Sequence, residues 1–220
     1  MKSPIKLSIK TEILPILLII ISFALAFYFY AHFPERVAGH WNFNGQVDRS
    51  TSKTTGAFAV PFVLLGMYIL FLVLPFFDPR KERYVEFSKT YHLIKLLIIG
   101  VLFIVYLATG LFNLGYPINI NLVVPWIIGL LMIILGNYMG KIKFNWFVGI
   151  KTPWTLSSEN VWNKTHRVGG WFFIIFGLII IITPLLPELL GLIAFSGGVA
   201  LAVIGTFVYS YIAFKKEIKK

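Results

Sequence analysis

The chain contains 220 residues, of which 58% are hydrophobic and only 13% are charged. A soluble domain of this length needs more charge to cover its surface, so these values exclude a soluble protein. The net charge of +11 does not indicate nucleic-acid binding, because the cations lie where membrane topology places them. The absence of cysteine excludes disulfides, zinc–thiolate sites and cysteine nucleophiles.

Long apolar runs predict an all-α integral membrane protein. Several runs approach or exceed the roughly 20 residues that cross a bilayer. They are continuously apolar, whereas the strands of a membrane β-barrel alternate apolar and polar residues. We therefore expect a bundle of six transmembrane helices, at residues 12–31, 56–77, 91–112, 122–139, 169–186 and 189–214.

The first apolar run has the features of both a signal peptide and a membrane span. Lys2, Lys6 and Lys10 give it a basic start, and residues 24–26 resemble a cleavage site. The run continues through the aromatic residues 27–30, which suit an interfacial belt, and this favours an uncleaved first helix.

The polar loop 32–55 follows the first span. Its Asn44-Gly45 pair is typical of a two-residue hairpin turn, so we expect a small β-hairpin. The loop is a candidate binding site for an apolar or amphipathic extracellular ligand, and the alternative is a structural cap over the bundle. The candidate ligand-binding residues are Pro34, His40, Trp41, Phe43, Gly45 and Asp48.

The second long polar interval is the loop 141–168. Gly149 and Pro153 predict turns, and Thr155, Ser157 or Ser158 is suited to cap a helix with Glu159 in its first turn. This helix is expected to lie along the membrane surface or to run into span five. We expect interfacial positions for the four tryptophans of this region, Trp146, Trp154, Trp162 and Trp171.

The same loop is a candidate docking surface for an intracellular partner, and the alternative is that it only anchors two helices. The candidate partner-binding residues are Lys151, Thr152, Pro153, Trp154, Trp162, Lys164, His166 and Arg167.

Cation counts predict the orientation in the membrane. An even number of spans places both termini on one side, together with loop 141–168, and that side carries seventeen of the twenty Lys and Arg residues. The other side carries only Arg36, Arg49 and Lys53. The positive-inside rule therefore predicts cytoplasmic termini and an extracellular 32–55 loop.

Few ionisable residues lie within the predicted spans, and Lys95 is expected to extend its amine to the membrane interface. The sequence contains no metal-binding pair of histidines, nucleophile elbow or phosphate-cradling loop. We expect no enzyme activity, no catalytic residues, no cofactor and no metal. The near absence of charge in the spans also argues against a proton-coupled transporter.

Both polar loops resemble one bacterial family, the SdpI family. The signature in the second loop consists of Val148-Gly149-Ile150-Lys151-Thr152-Pro153-Trp154-Thr155-Leu156-Ser157-Ser158-Glu159, Val161-Trp162-Asn163-Lys164-Thr165-His166-Arg167 and Gly169-Gly170. The first loop resembles the small membrane domain of unknown function in longer members, through Pro34, Val37, His40-Trp41, Asn42, Gly45, Asp48 and Ser52-Lys53. Phe33 stands where that domain has Leu.

The resemblance implies a six-helix, multi-pass protein of the plasma membrane with two domains. Residues 1–80 would form a two-helix domain with the extracellular loop 32–55, and residues 81–220 a four-helix domain with the signature loop 141–168. It also implies immunity against a secreted cannibalism peptide of the sporulation-delaying type, and recruitment of a cytoplasmic winged-helix autorepressor. The expected partners are the lipid bilayer, the toxin peptide and this repressor, with no direct nucleic-acid binding. A small transporter or permease, or a structural membrane protein, is the alternative.

Overall fold

The computed structural model describes residues 4–219, and within them it confirms six helices long and apolar enough to cross a membrane. These candidate spans are Ile9–His32, Lys53–Phe77, Ser88–Asn113, Ile120–Met139, Glu159–Leu185 and Glu188–Ile218. The first four are the helices α1 to α4, in that order. The protein is therefore a multi-pass membrane protein.

The second half of the chain contains more helical segments than candidate spans. The short helix α5 (Pro153–Ser157) precedes α6 (Glu159–Ile182), which ends in a 3₁₀ turn at Thr183–Leu185. The last span consists of α7 (Glu188–Ala200), a π-helical turn at Leu201–Gly205 and α8 (Thr206–Ile218). Helix α6 begins ten residues earlier than the predicted span, so the amphipathic segment runs directly into span five.

The expected β-hairpin is present between α1 and α2. Strands β1 (Arg36–Trp41) and β2 (Val47–Ser52) pair antiparallel, with two register irregularities between Ala38 and Trp41. The predicted two-residue turn is wrong, because five residues, 42–46, connect the strands, and the Asn42 N–H donates to the Gln46 carbonyl across this connection. The Asn42 side chain accepts the N–H groups of residues 44 and 46 within this loop, which stabilises the longer connection.

The described part of the chain folds into two compact units. One contains residues 4–6, 72–94 and 129–219, and the other contains Leu7–Phe71 and Lys95–Ile128. The domain boundary predicted at residue 80 stays a prediction.

The unit that carries the hairpin has an aromatic core. Phe29 of α1 stacks on Phe33, with ring centroids 5.0 Å apart, and meets Tyr106 of α3 edge-on at 5.4 Å. The buried Tyr106 hydroxyl donates to the Ala57 carbonyl of α2 at 2.7 Å. Because a buried hydroxyl needs a partner, this bond fixes α3 against α2.

In the other unit, glycines let α4 and α6 approach closely. A Cβ added to Gly136 would lie 2.5 Å from the Gly170 carbonyl, and one added to Gly129 would lie 2.6 Å from that of Gly177. The two glycines of each helix are seven residues apart, and they meet in antiparallel order. Small residues at the contact points are typical of helix pairs that pack closely in membranes.

Candidate functional site

The signature loop is organised by the buried amide of Asn145. Its Nδ2 donates to the carbonyls of Lys143 and Val148, at 2.8 and 2.9 Å. Its Oδ1 accepts the N–H groups of Phe147 and Val148, at 2.8 and 2.7 Å. This one side chain therefore replaces the regular hydrogen bonds that the backbone of residues 143–148 lacks.

The carboxylate of Asp78 ties the loop to the segment that follows α2. It is 2% exposed and accepts hydrogen bonds from the Tyr84 hydroxyl at 3.0 Å and the Trp146 N–H at 2.9 Å. Its other oxygen accepts the Arg80 N–H at 2.7 Å. Burial, and then the negative charge of Asp78, raise the pKa of Tyr84 well above its usual value. Tyr84 is therefore a permanent hydrogen-bond donor at physiological pH.

Two arginines add positive charge where the segment after α2 contacts the signature loop. The Arg80 guanidinium lies 3.4 Å from the centroid of the Phe144 ring, a cation–π contact. Arg83 pairs with Glu159 of α6 at 2.7 Å and with Glu86 at 3.2 Å. Because the Arg83 and Glu159 side chains are 36% and 41% exposed, this pair contributes at most about 1 kcal/mol.

A buried Trp–His stack forms the centre of the loop. The rings of Trp162 and His166 are 4.0 Å apart, and both residues are fully buried. His166 Nε2 accepts the Ile150 N–H at 2.9 Å, which assigns the proton to Nδ1, 2.9 Å from the Trp162 carbonyl. Gly149 has a φ of 122°, and a Cβ there would collide with the His166 ring. The stack therefore requires glycine at 149 and a neutral imidazole at 166.

Hydroxyl groups begin both helices of the loop. Thr152 and Thr155 form a reciprocal capping box with Pro153 in the first turn of α5, and Ser158 caps α6 as one of the predicted candidates. The Thr152 hydroxyl also donates to Ser210 of α8 at 3.0 Å. The signature is therefore anchored to the last helix as well as to α6.

The structure places the predicted partner-binding residues in two groups. Thr152, Trp162 and His166 are buried, and Trp154 is half-buried against the Phe207 and Tyr211 rings of α8. The interfacial position predicted for Trp162 is therefore wrong, because its ring packs inside the protein and its Nε1 donates to the Ile142 carbonyl. The other four predicted residues are exposed: Lys151, Pro153, Lys164 and Arg167.

The hairpin exposes most of its predicted residues. His40 Nδ1 and Asp48 Oδ1 are 2.6 Å apart, with side chains 58% and 43% exposed. Pro34 and Phe43 are also exposed, whereas Trp41 and Gly45 are partly buried. The exposed face therefore combines one aromatic ring with a polar His–Asp pair.

Two contacts fix the base of the hairpin on α3. The Trp41 ring packs edge-on against Phe112, with centroids 5.4 Å apart. The Asn113 amide accepts the Ala38 N–H at 2.7 Å and donates to the Ala38 carbonyl at 3.2 Å. Anchored in this way, the hairpin presents a defined surface rather than a free loop.

Glu12 and Lys95 form a buried ion pair that the sequence patterns do not predict. The Lys95 amine lies 2.7 and 2.6 Å from the two oxygens of Glu12, and Lys95 is completely buried. The Tyr68 hydroxyl donates to Glu12 at 2.9 Å, so the cluster joins α1, α2 and α3. The predicted interfacial position of Lys95 is wrong, because its amine finds a carboxylate inside the bundle. The signal in the sequence was that Glu12 and Lys95 begin spans on the same predicted side.

Comparisons with known proteins agree with this architecture. Residues 141–210 match the model of the SdpI/YfhL protein family, and residues 17–65 match a domain of unknown function (DUF1648). The chain is 29% identical over 207 residues to the protein named Immunity protein SdpI of Bacillus subtilis, covering 94% of this chain and 97% of that protein. No solved structure matches. The two matched regions contain the signature loop and the hairpin, and this chain is therefore similar to the SdpI/YfhL family in its signature region and to Immunity protein SdpI along nearly its whole length.

Proposed function

We propose that this protein is a plasma-membrane immunity protein that protects a bacterium against a secreted antimicrobial peptide of the sporulation-delaying type. The observation that carries the proposal is the similarity to the Bacillus subtilis immunity protein along nearly the whole of both chains. The similarity covers 94% of this chain, and the two regions that match family models contain the hairpin and the signature loop.

The hairpin is the proposed toxin-facing surface. Phe43 is 45% exposed at its tip and lies near the His40–Asp48 pair in the chain. An amphipathic peptide can place an apolar side chain on the ring and a polar group on the pair. Phe43→Ala should therefore reduce protection in a host that is killed by the peptide. Tyr116→Ala is the matched control, because Tyr116 is an aromatic residue outside the hairpin and 55% exposed.

The exposed cations of the signature loop are the proposed docking surface for a winged-helix autorepressor. Lys151, Lys164 and Arg167 project from a loop whose interior is held by buried hydrogen bonds, so their placement is fixed. Neutralising all three to Gln should abolish recruitment of a fluorescent repressor to the membrane. The matched control removes three cations from the tail of α8, with Lys215, Lys216 and Lys219 changed to Gln.

Toxin binding outside changes repressor binding inside only if the toxin favours one of two arrangements of the protein. The immunity and signalling roles are therefore separable. Loss of recruitment with full protection would leave the immunity proposal intact, whereas loss of protection in the hairpin variant alone would support the assignment of the toxin-facing surface.

A transport function is the second candidate, because the buried Glu12–Lys95 pair places charge inside the spans. Intramembrane ion pairs occur in substrate and proton pathways. Toxin-dependent or proton-coupled flux in proteoliposomes that the Lys95→Met variant loses would favour transport over peptide neutralisation.

A further inference from the structure

A cleft of about 830 Å³ opens beside the first turn of α3. The segment 85–90 lines one wall, and Tyr138, Lys141 and Lys143 at the end of α4 line the other. Both walls belong to the same compact unit. Because α3 starts and α4 ends a membrane span here, the cleft lies at the level of the membrane–water interface.

The charge of the cleft is positive. Three lysines line it, Lys89, Lys141 and Lys143, against the single carboxylate of Glu86. That carboxylate is shared, since it pairs with Arg83 at 3.2 Å and lies 4.0 Å from the Lys143 amine. The cleft therefore has an excess of cations for which the described lining residues provide no counter-charge.

The start of α3 adds backbone N–H donors to the cleft. The helix is 26 residues long, its first turn contains no acidic residue, and the preceding Phe87 has no side-chain oxygen to accept its N–H groups. Lys89 in that turn adds a cation to the positive end of the helix, which is unfavourable without an anion nearby.

Thr90 adds a polar group to the lining. It is 6% exposed and lines the cleft, and its hydroxyl can donate a hydrogen bond to an anion held there. The apolar side chains of the lining are Val85, Phe87 and Leu93, and Val85 is 58% exposed.

We propose that this cleft binds the phosphate of an anionic phospholipid, with the phosphate held by the lysines, the Thr90 hydroxyl and the start of α3. The apolar residues at its edge suit the glycerol and upper acyl region of the lipid. A soluble anion needs no such apolar edge and no position at the membrane interface. The proposal does not depend on the immunity function.

Native mass spectrometry of the full-length protein in detergent tests the proposal directly. Wild-type protein should retain phosphatidylglycerol in preference to phosphatidylcholine. Changing Lys89, Lys141 and Lys143 to Gln should lower phosphatidylglycerol retention at least about tenfold, since each cation near a lipid surface contributes roughly 1 kcal/mol. The matched control, Lys215, Lys216 and Lys219 changed to Gln, removes equal charge outside the cleft and should stay within about twofold of wild type.

If the triple variant does not fold, two single variants still test the lipid-binding proposal. Thr90→Val keeps the shape and the charges and should weaken retention, because the hydroxyl donor is lost. Glu86→Gln removes the competing carboxylate and should strengthen it, which a purely structural role of these residues does not predict.

Equal loss in the cleft and control triple variants would overturn the proposal in favour of general surface charge. Equal retention of the two lipids by wild-type protein would also overturn it. Displacement of phosphatidylglycerol by millimolar inorganic phosphate would identify a soluble anion as the ligand, and the assignment to lipid would then fail.

Discussion

The Glu12–Lys95 pair gives the most quantitative prediction for the bundle. At 2.6 Å, and with an effective dielectric constant of about 20, the attraction between the two charges is roughly 6 kcal/mol. Desolvation of the two ions offsets most of this gain, so the pair itself contributes little net stability. Removing only one partner leaves a buried, uncompensated charge.

We therefore expect Lys95→Met and Glu12→Gln each to lower the free energy of unfolding by about 3–5 kcal/mol. The double variant should lie within about 1 kcal/mol of wild type or be more stable, because neither charge is then buried alone. Thermal unfolding in one detergent, followed by the fluorescence of the six tryptophans, measures the complete cycle. The third member of the cluster, Tyr68, is tested by Tyr68→Phe, which should cost about 1.5–3 kcal/mol through its lost bond to the carboxylate.

Additive losses in the double variant would refute this reasoning, since additivity means that the two residues do not interact. A loss below about 1 kcal/mol in both single variants would show that water reaches the pair and screens it.

The remaining predictions concern the signature loop and the topology. His166→Ala should destabilise the protein by about 1–3 kcal/mol, because it leaves the partly buried Ile150 N–H without its acceptor; thermal unfolding measures the loss. Gly149→Ala should cost about 1–3 kcal/mol for its positive φ alone, whereas Gly140→Ala, where an added Cβ meets no atom within 4 Å, should be near neutral. Because the chain contains no cysteine, single-cysteine labelling is free of background, and a membrane-impermeant maleimide should label Asn44→Cys in intact cells but Ser157→Cys only after permeabilisation. Labelling of both in intact cells would contradict the predicted orientation.

The six spans were predictable because each is determined by its own apolar run, which needs no knowledge of the rest of the fold. The hairpin and the Ser158 cap were predictable for the same reason, since turn and cap residues act on their immediate neighbours. Local chemistry also explains the error at the turn, where the Asn42 side chain stabilised a loop longer than the Asn-Gly pair suggested.

The interior of the site was not predictable from local patterns. Trp162 looks like an interfacial anchor by residue type, and its burial depends on Ile142, twenty residues earlier in the chain. Lys95 looks like a side chain that reaches the interface, and its partner lies 83 residues away on another helix. The role of such a residue depends on a hydrogen-bond or ion-pair partner that lies far away in the chain. A hydropathy pattern contains no information about that partner.

Survival under toxin challenge is the decisive test of the proposed immunity function. The measurement is growth of a sensitive host expressing this protein, exposed to the secreted antimicrobial peptides of the bacterium that encodes it, with membrane insertion verified by fractionation. We expect survival at a peptide concentration that kills cells carrying the empty vector, and reduced survival for Phe43→Ala. Killing of both strains at the same concentration by every such peptide, with the protein present in the membrane, would contradict it.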